Sequence, residues 1–238
     1  MPFTRPRHWL RWLIGAIAAA AVLAAAGPFI YIHFFNSAPA ALSLSPSSSS
    51  PASSSATADT AASGSVAGTW TAGSGSVVGY RVNEVLLGQN ATAVGRTTSV
   101  TGHLVIAGST ATAASFSVPM ATVHSDKSQR DAQFDERIMD VSQYPTGTFT
   151  LTSPIDLAPL PSAGAVKSYT AHGKLTLHGT TRPVTFTLTA ERAGSQIKVA
   201  GDIPVLFSDY NIQNPSFAGF VTTQDHGLLE FLLVLSRA

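Results

Sequence analysis

The sequence contains no cysteine, few charged residues and none of the glycine-rich patterns that bind nucleotides. The absence of cysteine among the 238 residues excludes disulfide bonds and thiolate metal sites. Only 11% of the residues are charged, and the 14 lysines and arginines nearly balance the 13 acidic residues. This composition has no basic excess of the kind that binds nucleic acid. We therefore expect no nucleic-acid partner and no Rossmann or P-loop site.

Charged residues are also missing from a long apolar stretch near the N-terminus. Residues 13–35 contain no Lys, Arg, Asp or Glu and would reach about 34 Å as a helix, enough for a bilayer core. Arg5, Arg7 and Arg11 precede this stretch, and the next basic residue is Arg81. The positive-inside rule then predicts a single-pass protein of the cytoplasmic membrane. Residues 1–36 form the anchor, the N-terminus lies in the cytoplasm and the remainder lies outside.

A cleaved signal peptide is the alternative interpretation of the same segment. The run Ala38-Pro39-Ala40 resembles a signal-peptidase site, and cleavage there would secrete a protein that begins at Ala41. The apolar region of a signal peptide usually has about 7–15 residues. Because residues 13–35 exceed that length, we favour a retained anchor.

The next segment is of low complexity. Residues 37–67 are mostly Ser, Ala, Pro and Thr, and Asp59 carries their only charge. So few large side chains cannot offset the entropy of ordering, which predicts a disordered linker. A flexible chain of this length spans roughly 30 Å root-mean-square. Residues 68–238 remain as the folded domain.

The clearest structural pattern is a β-hairpin within residues 169–188. Apolar and polar residues alternate along both arms, as expected for strands with one buried face. Gly179 and Pro183 punctuate the predicted turn between the arms. The apolar positions are Tyr169, Ala171, Leu175, Leu177, Val184, Phe186 and Leu188.

The hairpin also carries a family resemblance. Residues 173–184, Gly-Lys-Leu-Thr-Leu-His-Gly-Thr-Thr-Arg-Pro-Val, are similar to the Gly-Asp-Leu-Thr-[Leu/Ile]-x-Gly-Val-Thr-[Arg/Lys]-Pro-Val motif of the YceI-like family of lipid- and polyisoprenoid-binding proteins. Lys174 and Thr180 depart from that motif, where the family often has Asp and Val. The resemblance continues in Trp70 followed by Ser-Val-Val-Gly-Tyr-Arg-Val, in Arg130-Asp131 and in Tyr144-Pro145. It implies a lipocalin-like barrel whose apolar channel holds a long isoprenoid chain.

Further alternating runs lie on both sides of the hairpin. They occur at residues 76–82, 100–106, 116–120, 149–151 and 197–199. Residues 228–235 are apolar on both faces except for Glu230, so we expect the barrel interior on one side and the helix or the loop after Phe207 on the other. A short helix is predicted within residues 124–141, capped by Ser125 or Ser128.

These elements predict an all-β fold. We expect an antiparallel eight-stranded lipocalin-like barrel with one short covering helix, preceded by the N-terminal transmembrane helix and the disordered linker. The strand patterns alone leave open a β-sandwich or barrel filled with side chains. The family resemblance favours a hollow barrel.

Several polar residues are candidates for chemistry, and each has a plainer interpretation. Arg81 and Glu84 are candidates for a head-group site, although such residues more often form a surface pair. Asp209 and His226 lack an accompanying nucleophile motif. His172 and His178 share the predicted solvent face, whereas a zinc site needs clustered ligands. We therefore expect no catalytic residue, no metal and no cofactor.

The predicted function is lipid binding outside the cytoplasmic membrane without catalysis. The partner is an isoprenoid or another long-chain lipid, and the membrane is contacted through the N-terminal helix. The alternative is an extracytoplasmic enzyme or an adhesion or structural β-domain with a filled core. The oligomeric state is left open. The candidate channel residues are Val100, Leu104, Phe116, Val118, Phe149, Leu151, Leu175, Leu177, Val184, Phe186, Leu188 and Phe231.

Overall fold

The computed structural model describes residues 16, 38–44, 65–86, 88–216 and 221–238. The predicted membrane span, apart from Ala16, lies outside the described residues, and so does most of the predicted linker. In the part of the chain that is described, no helix combines the length and the apolar character needed to cross a membrane. The predicted domain boundaries stay a prediction.

Within the described residues, thirteen strands form one sheet. Ten of them are longer than three residues, and three are short edge pieces. Their bounds are β1 Gly68–Ala72, β2 Val77–Leu86, β3 Gln89–Thr97, β4 Thr101–Ala107, β5 Thr110–Pro119, β6 His124–Ser125, β7 Thr146–Leu151, β8 Ile155–Asp156, β9 Lys167–Leu177, β10 Thr180–Ala193, β11 Gln196–Leu206, β12 Val221–Thr223 and β13 His226–Arg237.

Eight of these strands close into an antiparallel barrel, as predicted. The order around the ring is β1-β4-β5-β7-β9-β10-β11-β13, and pairing between β13 and β1 completes it. Closure leaves no free sheet edge in the ring. The remaining strands are additions: β2, β3 and β6 extend from β13, β12 pairs with β2, and β8 pairs with β5.

The long last strand is the seam of the barrel. Its C-terminal end pairs with β1, from Trp70 opposite Arg237, while its first half pairs with β2, from Leu228 opposite Arg81. One strand therefore serves both the closed ring and the β2–β3 extension. Along its whole length the other edge pairs with β11.

The predicted hairpin is present as β9 and β10, with Leu177 opposite Thr180. His178 and Gly179 form a two-residue turn with positive φ values of 46° and 70°, the conformation that favours tight hairpins. The prediction that Pro183 bounds the turn is wrong, because Pro183 lies within β10 opposite Lys174. Side chains alternate between buried and exposed along β9, as the sequence pattern predicts.

One glycine in this hairpin creates space for an aromatic ring. Gly173 occupies an inward position of β9, and a Cβ atom placed there would lie 2.2 Å from the ring of Phe149 on β7. The missing side chain thus lets Phe149 lie across the neighbouring strand. Phe149 in turn packs edge-on against Phe186, with ring centroids 5.5 Å apart, and Phe186 does the same with Phe231 at 5.8 Å.

Among the described residues, one short helix lies within the predicted stretch 124–141. Helix α1 covers Ser128–Gln133 and continues into a π-helical turn, Phe134–Ile138. Neither predicted serine caps it: the N-cap residue is Lys127, with no side-chain capping bond. Ser125 instead donates from its backbone N–H and its hydroxyl to Asp131 Oδ1, at 2.8 and 2.7 Å. We call residues 128–138 the helical segment.

The outer face of β13 is covered by elements other than those expected. Ser76, in the connection between β1 and β2, accepts a bond from Val234 N–H at 2.9 Å and lies over that end of the strand. Near Glu230, residues 38–44 reach the wall through Arg81 and Arg96. Among the described residues, a connection and a piece of the predicted linker thus contact this face near Val234 and Glu230, and cover by the helix or the loop after Phe207 stays a prediction.

Candidate functional site

The barrel encloses one large apolar cavity of about 940 Å³. Inward-facing side chains of the ring strands line it, together with β2 and the helical segment. Its volume lies at the upper end of the range for small-molecule pockets. The interior is therefore hollow, which resolves the alternative that the strand patterns left open.

Eleven of the twelve candidate channel residues line this cavity. Val184 is the exception: it is partly buried against the apolar core but does not contribute to the cavity lining. Whether any of them contacts a ligand stays a prediction. The eleven lining residues are Val100, Leu104, Phe116, Val118, Phe149, Leu151, Leu175, Leu177, Phe186, Leu188 and Phe231.

The cavity extends along most of the barrel. On β9 it is lined from Tyr169 to Leu177, eight residues apart, which corresponds to about 26 Å along the strand. A strand tilt of about 40° reduces this to roughly 20 Å along the barrel axis. At one end it meets the helical segment, and at the other it meets Leu157, Leu160 and Pro161. The shape suits an elongated apolar molecule.

Polar side chains are concentrated where the helical segment covers the cavity. Glu84 on β2 pairs with Arg130 on α1 at 3.5 Å, and both line the cavity. Burial raises the pKa of Glu84, and the Arg130 guanidinium opposes that rise. Lys127, Gln129, Gln133 and Arg137 also line this end. Asp126 also pairs with both Lys127 and Arg130, so protein carboxylates compensate most of the positive charge at this end.

Aromatic stacking holds the helical segment over the cavity. Phe134 is buried and stacks on Tyr80 of β2, with centroids 5.2 Å apart and planes within 15°. Burial raises the pKa of Tyr80 to about 12, so its hydroxyl stays protonated at neutral pH. Arg137 reaches across to the loop after Phe207 and donates to the Pro215 carbonyl at 3.1 Å.

The structure separates Arg81 from Glu84, the two residues considered together for a head group. They differ in strand parity, so Glu84 faces the cavity whereas Arg81 lies on the outer wall, where its Nε atom is 2.5 Å from Glu230 Oε1. The inward carboxylate of Glu84 does not end β2. The strand continues to Leu86, because Arg130 compensates the inward carboxylate.

The histidines considered for chemistry have ordinary partners. His172 is exposed and lies 3.0 Å from Thr185 Oγ1, while His178 Nδ1 lies 3.1 Å from the Tyr210 carbonyl. His226 pairs with its neighbour Asp225 at 2.7 Å. Among the described residues, no group of three or more His, Cys, Asp or Glu could hold a metal ion. The expected lack of metal, cofactor and catalysis stays a prediction.

Sequence reasoning did not select several residues that line the cavity. On β2 these include Val78, Tyr80 and Val82, whose alternation was recognised but not assigned to the channel. On β11 the apolar inward positions are interrupted by Gly201, which Asp202 follows. This interruption hides the period of two in the sequence. The contribution of the helical segment has no periodic signal for a ligand site. The missed residues are Ile197, Val199, Ile203 and Val205 on β11, Phe134 and Ile138 on the helical segment, and Met139 directly after it.

Solved structures with the same fold are known. A polyisoprenoid binding domain from Saccharophagus degradans, implicated in plant cell wall breakdown, matches with a TM-score of 0.60 at 16% identity, over 72% of this chain and 99% of that one. BcnA of Burkholderia cenocepacia matches with a TM-score of 0.51 at 22% identity, over 65% and 95%. At such identities the likeness establishes the fold alone.

The sequence comparisons give the family. No curated protein sequence matches the chain. The family model described as the YceI-like domain matches residues 51–235, a range that takes in the barrel strands, the helical segment and nearly all of β13. With its fold and more than half of its sequence accounted for in this way, the chain belongs to the YceI-like family.

Proposed function

We propose that this protein binds a long-chain lipid of the isoprenoid type inside the barrel, without catalysing a reaction. The observation that carries the proposal is the apolar cavity of about 940 Å³, which runs from the helical segment to the loop at Leu160. A related fold, the Saccharophagus degradans domain, is described as polyisoprenoid-binding. The absence of a nucleophile–base motif from the sequence supports a binding role.

The protein acts, in this proposal, at the outer side of the cytoplasmic membrane. The arginines before residues 13–35 support an inside N-terminus and an outside barrel. A lipid drawn from the adjacent bilayer would enter the cavity with its chain along the barrel axis. Retention of residues 1–36 keeps the protein attached, and cleavage after Ala40 would release it.

The energetics of transfer determine which ligand features are selected. Burying hydrocarbon from water yields about 0.8 kcal/mol per CH2 group, but a membrane lipid is already out of water. Most of that gain is lost on transfer, so the net affinity depends on the fit of the chain to the cavity. Arg130 and Arg137 already have protein partners, Glu84 and the Pro215 carbonyl. We therefore expect strong selectivity for chain length and modest selectivity for the head group.

Two neighbouring residues of β10 provide a matched test. Phe186 faces the cavity and is buried, whereas Thr187 is exposed on the other face of the strand. Phe186→Asp should abolish binding of an isoprenoid alcohol offered in detergent micelles or vesicles, and Thr187→Asp should bind like the parent protein. Circular dichroism identifies a variant that has merely unfolded. In that case Phe186→Trp, which fills part of the cavity, should shorten the longest chain that binds.

Lipid extracted from the purified protein gives an independent measurement. We expect a stoichiometric isoprenoid, recovered chemically unchanged, in its mass spectrum. Failure of the folded protein to bind an isoprenoid of any length, from detergent or from vesicles, would disprove the proposal. Recovery of a chemically modified lipid would disprove the absence of catalysis.

A further inference from the structure

A buried ion cluster lies on the outer wall of the barrel, away from the cavity. Glu230 on β13 has a side chain that is only 4% exposed, yet it faces outward between the inward residues Leu229 and Phe231. Arg81 Nε lies 2.5 Å from its Oε1 atom, and Arg96 on β3 lies 3.3 Å from its Oε2 atom. Two guanidinium groups thus share one carboxylate, which leaves several donors for other acceptors.

Strand register explains how Arg96 reaches a carboxylate two strands away. Glu230 lies opposite Gly79 of β2, and Gly79 lies opposite Arg96 of β3. A Cβ atom at Gly79 would be 2.9 Å from Arg96 Cγ, so only glycine leaves a path across β2. The arginine side chain therefore passes over the middle strand to the carboxylate beyond it.

The remaining arginine donors bind residues from the other end of the chain. Arg81 donates to the Pro39 carbonyl at 2.7 Å, and Arg96 donates to the Ala40 carbonyl. Leu42 and Leu44, further along the same piece of chain, are partly buried. This piece belongs to the stretch predicted to be disordered, but both of its acceptors are backbone atoms. Such a contact has no side-chain pattern by which the sequence would reveal it.

We propose that residues 38–44 are a strap that docks on the wall formed by β2, β3 and β13 and holds the barrel at the membrane surface. This inference rests on the membrane attachment proposed above. Pro39 follows Phe35 by four residues, at most about 14 Å of chain. A free linker over residues 37–67 would instead span roughly 30 Å root-mean-square. The strap therefore replaces a long tether by a short one.

The strap also orients the cavity. Arg81 precedes Glu84 by three residues on β2, which corresponds to about 10 Å along the strand. Glu84 is part of the cavity end that the helical segment covers. Docking beside Arg81 keeps this end of the cavity close to the bilayer, the source of the proposed ligand.

Docking and signal-peptide cleavage exclude each other. Both acceptor carbonyls belong to the run Ala38-Pro39-Ala40, so cleavage after Ala40 would remove them from the protein. The strap can therefore act only in a chain that retains its N-terminal segment. This connects the geometry of the outer wall to the retained anchor.

The absence of cysteine permits a direct test with two introduced spin labels in the full-length protein in nanodiscs. One label is placed at Ala41→Cys and the other at Thr187→Cys on β10, roughly 20 Å from β3 across four strand spacings. Pulsed electron paramagnetic resonance should give a narrow distance distribution. The comparison pair Ser53→Cys with Thr187→Cys should give a broad one. A distribution for the first pair as broad as for the second would overturn the proposal without any further variant.

Substitutions in the ion cluster test whether this cluster holds the strap on the outer wall. The combination Arg81→Gln, Arg96→Gln and Glu230→Gln removes all three charges together and so avoids an unpaired buried charge. In this variant, the distance distribution for the label at position 41 should become as broad as the distribution for the label at position 53. The circular dichroism spectrum should stay unchanged. Arg182→Gln, which removes an arginine of β10 that donates to the Asp209 carbonyl, should leave the distribution narrow. A distribution that stays narrow in the triple variant would show that the cluster does not hold the strap.

The mass of the purified protein separates this proposal from the function on which it rests. A mature chain that begins at Ala41 would contradict both the retained attachment and the strap. A full-length chain with a broad distribution contradicts the strap alone. Loss of lipid binding with a narrow distribution contradicts the proposed ligand and leaves the strap supported.

Discussion

At the scale of single residues, Glu84 is a carboxylate that lines the apolar cavity under the helical segment. Its side chain is 10% exposed and pairs with Arg130 at 3.5 Å. Burial raises its pKa and is the largest influence on it, ahead of the opposing effect of Arg130. The folded state therefore favours the protonated carboxyl more than the unfolded chain does, and this links stability to pH.

The Glu84→Gln variant should reveal that link. Because the folded-state pKa is raised, the stabilising contribution is fully present below the ordinary value of 4.5 and is lost as pH rises through the folded-state pKa. The free energy of unfolding of the parent, relative to the variant, should fall between pH 4 and pH 7 in urea titrations. Asp225→Asn is the control of opposite sign, since a hydrogen bond from His226 lowers the pKa of Asp225. A constant difference for Glu84→Gln would contradict the assignment.

Phe186 illustrates packing at the same scale. Its ring contacts Phe149 and Phe231 edge-on, and its remaining surface faces the cavity. Phe186→Ala should lower the free energy of unfolding by about 3 kcal/mol, the lower end of the usual range for such truncations, because the cavity side has no contacts to lose. Thr187→Ala, on the exposed face, should change it by less than about 0.5 kcal/mol. Equal effects of the two substitutions in chemical denaturation would show that Phe186 is not part of the packed wall.

At the scale of elements, the helical segment differs from the strands that it covers. Each ring strand is held by ladders on two sides, whereas this segment has one buried stacking contact, a few ion pairs and the bond from Arg137 to Pro215. Segments with few buried contacts open locally before the whole fold unfolds. We therefore expect opening of this segment to admit and release ligand.

Phe134→Ala should increase that opening. Loss of the stacked ring should lower the local opening free energy by about 3 kcal/mol, which corresponds to roughly 100-fold faster amide exchange in residues 128–138. Hydrogen exchange detected by mass spectrometry would measure it, and β9 and β10 should stay protected. Glu136→Ala, at an exposed position of the same segment, is the control. Unchanged exchange in Phe134→Ala would mean that other contacts hold the segment.

The β2–β3 extension depends on a close approach at Gly79. A Cβ atom there would lie 2.0 Å from the Gly95 carbonyl oxygen, so Gly79→Ala should cost about 2–3 kcal/mol of unfolding free energy. At Gly73 the nearest atom would be 3.6 Å away, an ordinary contact, and Gly73→Ala is the matched control. Urea denaturation compares them. A loss in Gly79→Ala no larger than that in Gly73→Ala would contradict the crossing geometry.

At the scale of the whole molecule, the proposed orientation in the membrane rests on the N-terminal arginines. They precede residues 13–35, and the barrel follows. The positive-inside rule acts on basic residues close to a span, so Arg5, Arg7 and Arg11 should determine the orientation. A barrel outside the membrane has direct access to lipid of the outer leaflet.

Protease added to cells with an exposed cytoplasmic membrane tests this arrangement. It should cut within residues 45–64, where large side chains are few, and leave an intact barrel fragment detectable by immunoblotting. The barrel should become partly protected when Arg5, Arg7 and Arg11 are all replaced by Gln, because the orienting charge is then lost. Full protection in the parent protein would place the barrel inside and contradict the prediction.

Much of the site is a local property of the sequence. The period of two along β9 and β10 assigns Leu175, Leu177, Phe186 and Leu188 to one face, because successive side chains of a strand point in opposite directions. The same rule places Phe231 inward. It fails for Val184, which has inward parity but does not line the cavity, because parity does not specify how far the cavity extends along a strand.

Other features depend on residues brought together from distant parts of the chain. Closure of the ring, and so the existence of a hollow interior, follows from pairing of β13 with β1, which no local pattern encodes. In the sequence, Glu230 is the one charged residue within the apolar residues 228–235. Its charge is compensated by Arg81, which is 149 residues away in sequence. The strap depends on backbone carbonyls, which every residue possesses. The period of two along the strands therefore indicates which side chains face inward, whereas contacts between distant parts of the chain establish what those side chains enclose and what stabilises the outer wall.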